Sequence, residues 1–377
     1  MRHVAQLDGV RAIAVLIVMA SHTDRHTIVP GGFGVTIFFF LSGYLITSLL
    51  RSERCARGTI DLRAFYFRRV LRIMPPLYMT LLLLTIGSYF GLFGAPAAPA
   101  AVAADYALLS NYAHLWTGGA GLPVPLWSLA VEEHFYLLFP LAFMFILAKR
   151  SGASAARLCI IACLAVLGLR FLTLVGAGEL WHNYYWSHTR MDSILFGCCL
   201  ALWQNPTMDD GAWRPQHWHA LAATVAIVLT FIIRNDIFRA TLRYSVQGSA
   251  LFVLFSYVLS ERSRVVTRLL RSKMLAWVGL LSYTLYLCHF AIFAALQAKL
   301  QLGPLGIGLL GTPLAFAYAY AMHLWVERPI VEWRRNRWRS SKVVMLAVQR
   351  RSDAQLGVRE PEMSDLEPPM ARSRGYL

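Results

Sequence analysis

The feature that most constrains this chain is a series of long apolar stretches, each bounded by charge, running from near the first residue to beyond residue 320. A hydrocarbon core about 30 Å thick takes roughly 20 helical residues to cross. Inside it every backbone N–H and C=O must be satisfied within the protein, so such stretches fold as helices that bundle together. Ten stretches approach the required length, at about 9–24, 33–50, 75–93, 127–148, 157–176, 190–203, 217–234, 242–260, 276–298 and 306–326. The expected fold class is therefore an all-α polytopic membrane protein with about ten transmembrane helices. The first and sixth stretches are the weakest. The first is short and bounded by ionisable groups, as suits a helix lining a polar cavity rather than facing lipid.

Composition agrees: 57% of residues are hydrophobic and 15% charged, whereas a soluble domain is about a quarter charged. A formal net charge of +16 raises the question of a nucleic-acid partner, and the placement of the bases answers it. They stand in short blocks between apolar stretches: Arg51 to Arg72, Lys149 to Arg157, Arg262 to Lys273, and Arg328 onward. The alternate loops, such as 91–105 and 301–306, carry none. This pattern orients a membrane protein, placing both termini in the cytoplasm, and does not form a basic nucleic-acid face. An error of one crossing would break it. The expected division is an integral membrane domain at 1–340 and a cytoplasmic, disordered tail at 341–377. Asp8 and Arg11 mark the N-terminus as a first membrane segment and not a cleavable signal. The six cysteines lie mostly in apolar stretches without a CxxC pair, so they read as small buried hydrophobes, and no metal site is expected.

Several polar residues stand where hydrocarbon would not tolerate them without a reason. Arg11 and His22 are eleven positions apart, ~16 Å of helical rise and close to three turns, so they share a face. His22 has the chemistry of a general base, since neutral imidazole takes a proton from a hydroxyl near physiological pH. The plainer reading, in which Arg11 reaches the headgroups and His22 marks the interface, stays open. The block 67–78, FRRVLRIMPPLY, places Arg69 and Arg72 three apart with Arg68 alongside. Guanidinium forks there suit the phosphates of a nucleotide-like donor, although the block also serves orientation. Ser42 and Gly43 form a small patch with the Tyr44 hydroxyl beside it, which on its own reads as a packing surface. Glu132, in WSLAVEEHFY, is costly in an apolar helix unless it lines a polar cavity, and it shares a face with Tyr136. Arg190 and Asp192 read as a structural pair. His289, in SYTLYLCH, reads equally as a packed or a functional histidine.

Seven blocks, LDGVRAIAVLIVMASH, GGFGVTIFFFLSGYLIT, FRRVLRIMPPLY, LWSLAVEEHFY, RMDSILFGCCLA, SYTLYLCH and WVERPI, resemble in content and order the membrane-bound acyltransferase-3 family of bacterial integral-membrane O-acyltransferases. The resemblance places that family's Arg-x10-His motif on Arg11 and His22, its Arg-x-x-Arg motif on Arg69 and Arg72, and its carboxylate on Glu132. It implies an acyl-CoA donor, usually acetyl-CoA, approached from the cytoplasm. The implied acceptor is a hydroxyl of a cell-surface or lipid-linked carbohydrate, or of a secreted glycosylated small molecule such as a macrolide. It also implies the bacterial plasma (inner) membrane, with membrane lipids and, as an open alternative, further copies of the chain as partners. Some members carry a fused hydrolase-like domain; one without it acts alone or passes its product on. His22 and Glu132 are the expected catalytic residues, and Arg11, Arg68, Arg69, Arg72 and Tyr44 the expected donor-binding ones. A glycan or lipid transporter using His22 and Glu132 as proton relays is the rival reading, and it predicts transport without thioester consumption.

Overall fold

Each of the ten apolar stretches becomes helix in the computed structural model, which describes residues 4–23, 29–177, 182–334 and 336. In chain order the helices are α1 (Ala5–Ser21), α2 (Gly31–Arg57), α3 (Leu62–Tyr89), α4 (Pro99–Tyr106), α5 (Leu126–Phe145), α6 (Gly152–Ala177), α7 (His182–Tyr185) and α8 (Ser187–Leu202). There follow α9 (His217–Ile232), α10 (Asp236–Ala240), α11 (Leu242–Leu259), α12 (Arg264–Leu270), α13 (Lys273–Leu300), α14 (Pro304–Gly306) and α15 (Thr312–Met322). No strand occurs among the described residues.

Among the described residues seven helical runs are long and apolar enough to cross a membrane: Gly31–Arg57, Leu62–Tyr89, Leu126–Lys149, Gly152–Gly176, Leu242–Leu259, Lys273–Leu300 and Pro304–Arg334. The chain is thus a multi-pass helical membrane protein. The other three expected crossings are short, with 17 residues in α1, 16 in α8 and 16 in α9. For α8 the reason is its surroundings. Its polar residues Thr189, Arg190, Asp192 and Ser193 are all buried, so it faces protein instead of lipid and needs no continuous apolar surface. By contrast, α6 turns Ile161, Leu164, Leu172 and Val175 outward, as a lipid-facing helix must.

The centre of the bundle is α2, which packs along α8 and α1, while α1 packs along α13. Glycine makes the first contact possible. A Cβ on Gly43 would collide with the Ile194 carbonyl, and one on Gly197 with the Phe40 carbonyl, so the two backbones touch. Helices α1 and α13 run in the same direction: Asp8 abuts Gly279 near one end, and His22 meets His289 at the other. Helix α2 stops at Gly58, whose φ of 73° closes the last turn through a 2.8 Å bond to the Arg54 carbonyl. The Asp61 carboxylate caps α3, accepting from the Ala64 N–H at 2.9 Å. Pro75 and Pro76 lie inside α3 and remove the helical bonds to the Leu71 and Arg72 carbonyls.

The chain divides into two units, Met1–Val326 and Glu327–Leu377. In the second, Arg328 Nε donates to Glu332 at 2.8 Å one turn along; the tail expected at 341–377 lies outside the described residues.

Candidate active site

Five helices bring polar side chains to one cavity inside the bundle. Arg11 comes from α1, Ser42 from α2, Arg69 and Arg72 from α3, and Ser128, Glu132 and Tyr136 from α5; α13 adds Ser282 and Tyr286. The cavity encloses about 700 Å³ of empty space, its mouth included. Glu132 is held from two sides: Ser42 donates to its Oε1 at 2.8 Å, and the Tyr136 hydroxyl lies 3.3 Å from Oε2 and 2.9 Å from Ser42 Oγ. The Arg69 guanidinium sits 5.4 Å from the centre of the Tyr136 ring and 5.7 Å from that of Phe65, a cation–π seat that aims it at the cavity without a salt bridge. Three guanidiniums against one carboxylate leave this lining with a formal excess of two positive charges. Such a cavity attracts an anion with several oxygens, and phosphate fits guanidinium forks bidentately.

His22 lies beyond this cavity, at the C-terminal cap of α1, and it has company. Its Nδ1 is 3.0 Å from Nε2 of His289, whose own Nδ1 is 2.9 Å from the Leu285 carbonyl. A carbonyl only accepts, so His289 Nδ1 carries the proton and, in the neutral ring, His289 Nε2 offers a lone pair. That lone pair accepts from His22 Nδ1–H. The Nε2 of His22 is then the unprotonated nitrogen, and the pair presents a base with a defined tautomer. Tyr286 connects the two places: it lines the arginine cavity, its hydroxyl meets Ser128 at 2.6 Å, and its ring centre is 5.9 Å from that of His289.

Of the expected site residues, then, Arg11, Arg69, Arg72 and Glu132 share one cavity. Arg68 points elsewhere, to Glu53 at 3.2 Å on the end of α2. Tyr44 also turns away: its hydroxyl donates to Asn205 Oδ1 at 2.8 Å and lies 2.9 Å from Thr207 Oγ1, pinning the segment after α8. The expected Arg190–Asp192 pair does not form. Asp192 pairs instead with the buried Arg170. The residue that sequence reasoning left undecided is His289. Its signal was the spacing of Ser282, Tyr286 and His289, which puts all three on one face of α13.

Fold and site together define a helical membrane protein with an arginine-lined cavity and, beyond it, a pair of hydrogen-bonded histidines. A family described as an acyltransferase domain, acyltransferase-3, matches residues 4–324, and the chain belongs to it; by family it is an acyltransferase. Among its relatives, the peptidoglycan O-acetyltransferase OatA of Listeria monocytogenes is 29% identical over 354 residues, covering 87% of this chain and 56% of that protein. The O-acetyltransferase OatA of Staphylococcus aureus (strain NCTC 8325) is 29% identical over 355 residues, 87% of this chain and 57% of its own length. A putative O-acetyltransferase of Staphylococcus aureus (strain COL) is 28% identical with the same coverage. The chain spans a little over half the length of these curated relatives. No solved structure matches it.

Proposed function

We propose that this protein is an O-acyltransferase that moves an acyl group, most simply acetyl, from cytoplasmic acyl-CoA to a hydroxyl of a cell-surface or lipid-linked carbohydrate. The observation that carries the proposal is that Tyr286 both lines the cavity of Arg11, Arg69 and Arg72 and packs against His289 of the His289–His22 pair. In this reading the protein lies in the bacterial plasma membrane with ten crossings and both termini cytoplasmic, as the Lys and Arg distribution supports. The names of the relatives support acetyl as the group and a glycan as the acceptor.

The donor's phosphates occupy the arginine cavity, and the thin pantetheine arm runs along Tyr286 toward His22. His22 Nε2 takes the proton of the acceptor hydroxyl as its oxygen attacks the thioester carbon. The C–S bond breaks, and the proton passes from His22 to the departing sulfur, so CoA leaves as the free thiol. Glu132 stands among the arginines and not beside His22, which suits it to orienting the guanidiniums and the donor rather than to proton transfer.

The test is His22→Ala in purified protein, assayed for transfer of labelled acetyl from acetyl-CoA and compared at equal folded amount. Loss of about 10²–10⁴-fold in turnover with donor affinity kept is expected. Near-normal transfer would overturn the proposal, and so would substrate movement across the membrane without thioester consumption.

A further inference from the structure

A second polar pocket, distinct from the arginine cavity, lies at the opposite end of α2 from Arg57. It is lined by Phe33, Tyr184, Tyr185, Arg243, Tyr244 and Gln247 among others, around about 780 Å³ of empty space, its mouth included. We propose that this pocket seats the acceptor and that the acceptor is an acidic saccharide. The proposal deepens the functional reading above by giving the substrate a place and a charge.

Its charge is the first argument. Three guanidiniums crowd the Tyr244 ring, with Arg190 3.8 Å, Arg243 5.0 Å and Arg170 5.2 Å from its centre. Arg170 is neutralised by Asp192, and Arg239 pairs with Asp236 at 3.5 Å. Among the described residues no ion pair involves Arg190 or Arg243. Arg243 donates to the Tyr244 hydroxyl at 3.1 Å. Arg190 is 0% exposed; it donates to Thr36 at 3.2 Å, and its Nε and Nη1 have no hydrogen-bond partner. Arg243 lines the pocket, so its guanidinium favours an anion arriving there, and Arg190 behind Tyr184 and Tyr244 adds to the positive field.

The walls are the second argument. Tyr184, Tyr185, Tyr244, Phe33 and Phe231 supply ring faces, against which the C–H face of a pyranose packs, while tyrosine hydroxyls and Gln247 match sugar hydroxyls. A free phosphate or a lipid headgroup would use the arginines but leave these rings idle.

Position is the third. A Cβ on Gly31 would strike Ser21, the residue before His22, and one on Gly32 would strike the Tyr184 hydroxyl. The end of α1 and the pocket wall therefore pack against neighbouring glycines in the first turn of α2, which puts the pocket and the His22 end of α1 beside the same end of that helix.

The experiment measures binding to the full-length protein in nanodiscs, by saturation-transfer NMR, of trigalacturonic acid and of its methyl ester. The acid should bind about tenfold tighter or more, the effect of a charge-assisted contact. Arg243→Gln should erase that preference, Arg243→Lys should keep most of it, and acetyl-CoA affinity should stay unchanged in both. Equal binding of acid and ester, binding of neither, or an undiminished preference in Arg243→Gln would overturn the proposal. Complete displacement of the acid by phosphatidylglycerol in the disc, or by inorganic phosphate, would overturn it too, assigning the site to a lipid headgroup or a simple anion. Because this readout needs no acyl transfer, its failure is distinguishable from failure of His22→Ala.

Discussion

Replacing His289 by Phe isolates the hydrogen bond that fixes the base. The phenyl ring keeps the contacts with Tyr286 and Phe293, whose ring centres both lie 5.9 Å from that of His289. The Leu285 carbonyl loses one donor but is a helix carbonyl with a backbone partner of its own, so stability should change by no more than about 1 kcal/mol. What disappears is the acceptor for His22 Nδ1–H. In the transition state His22 becomes an imidazolium, and that bond becomes charge-assisted, contributing about 1.5–3 kcal/mol. Its loss lowers kcat by roughly 10–150-fold. Donor affinity should be unaffected, since Arg69 and Arg72 are untouched. Gln at 289 offers a carbonyl oxygen that can accept from Nδ1–H, and should restore part of the rate. Turnover of labelled acetyl-CoA, with calorimetric donor affinity and a thermal melt on the same samples, separates the cases. The reasoning fails if His289→Phe turns over within about threefold of wild type, or if His289→Gln is no better than the Phe variant.

Arg69→Ala with Arg72→Ala should weaken acyl-CoA binding by about tenfold or more per lost charge-assisted contact and leave saccharide binding alone; unchanged donor affinity on titration would remove both from the site. The proposed topology is open to a test with a native probe, because Cys55 is exposed while the other five cysteines are buried: an impermeant maleimide should label Cys55 only after the membrane is opened, and labelling of intact cells would reverse the orientation. A third expectation concerns Asp105, in α4 outside the membrane-crossing runs, where burial pushes the carboxyl from 3.8 up to about 6 against the 2.8 Å bond from the Leu122 N–H. The folded state thus holds this proton more tightly than the unfolded one, so the stabilisation is complete below pH ~4 and is lost as pH rises through ~6, roughly 3 kcal/mol in all. Asp105→Asn should flatten that slope in thermal melts across pH 4 to 7.5, and an identical pH dependence in the two proteins would refute the assignment.

What the sequence showed and what it hid follow one rule, the helical period. Glu132 and Tyr136, four apart, were expected on one face of α5, and both reach the cavity. Ser282, Tyr286 and His289 obey the same spacing on α13. The residues that fell away are those named for closeness in sequence. Tyr44 is two positions from Ser42, and Arg68 is adjacent to Arg69, so each points off its neighbour's face. Arg190 and Asp192 are also two apart, and one helix cannot pair them; Asp192 meets Arg170 from α6 instead. That contact, like the His22–His289 bond across 267 positions, depends on which helices are neighbours. A helix's own periodicity holds no record of that. The shortness of α8 was visible as weakness, but its cause, burial at the centre of the bundle, was not.

The two pockets bear on why the base sits at the end of the short α1. Between them stands a layer of bulky groups: Phe39 lines the donor cavity, the Arg190 guanidinium lies 5.6 Å from its ring centre, and Arg190 in turn abuts Tyr184 and Tyr244 of the second pocket. A nucleotide with its phosphates cannot pass such a layer, and in the proposed mechanism it has no need to. The charged part stays with Arg11, Arg69 and Arg72, and only the uncharged arm advances along α13. In that mechanism the acceptor stays on its own side of α2, and the two substrates share one point, His22. With α1 and α13 running in the same direction, Arg11 with Ser282 marks the donor end of that track and His22 with His289 the reacting end. A single pair of packed helices thereby fixes the distance between phosphate seat and base. A change in the register of α1 on α13 should then disturb transfer before it disturbs either binding step.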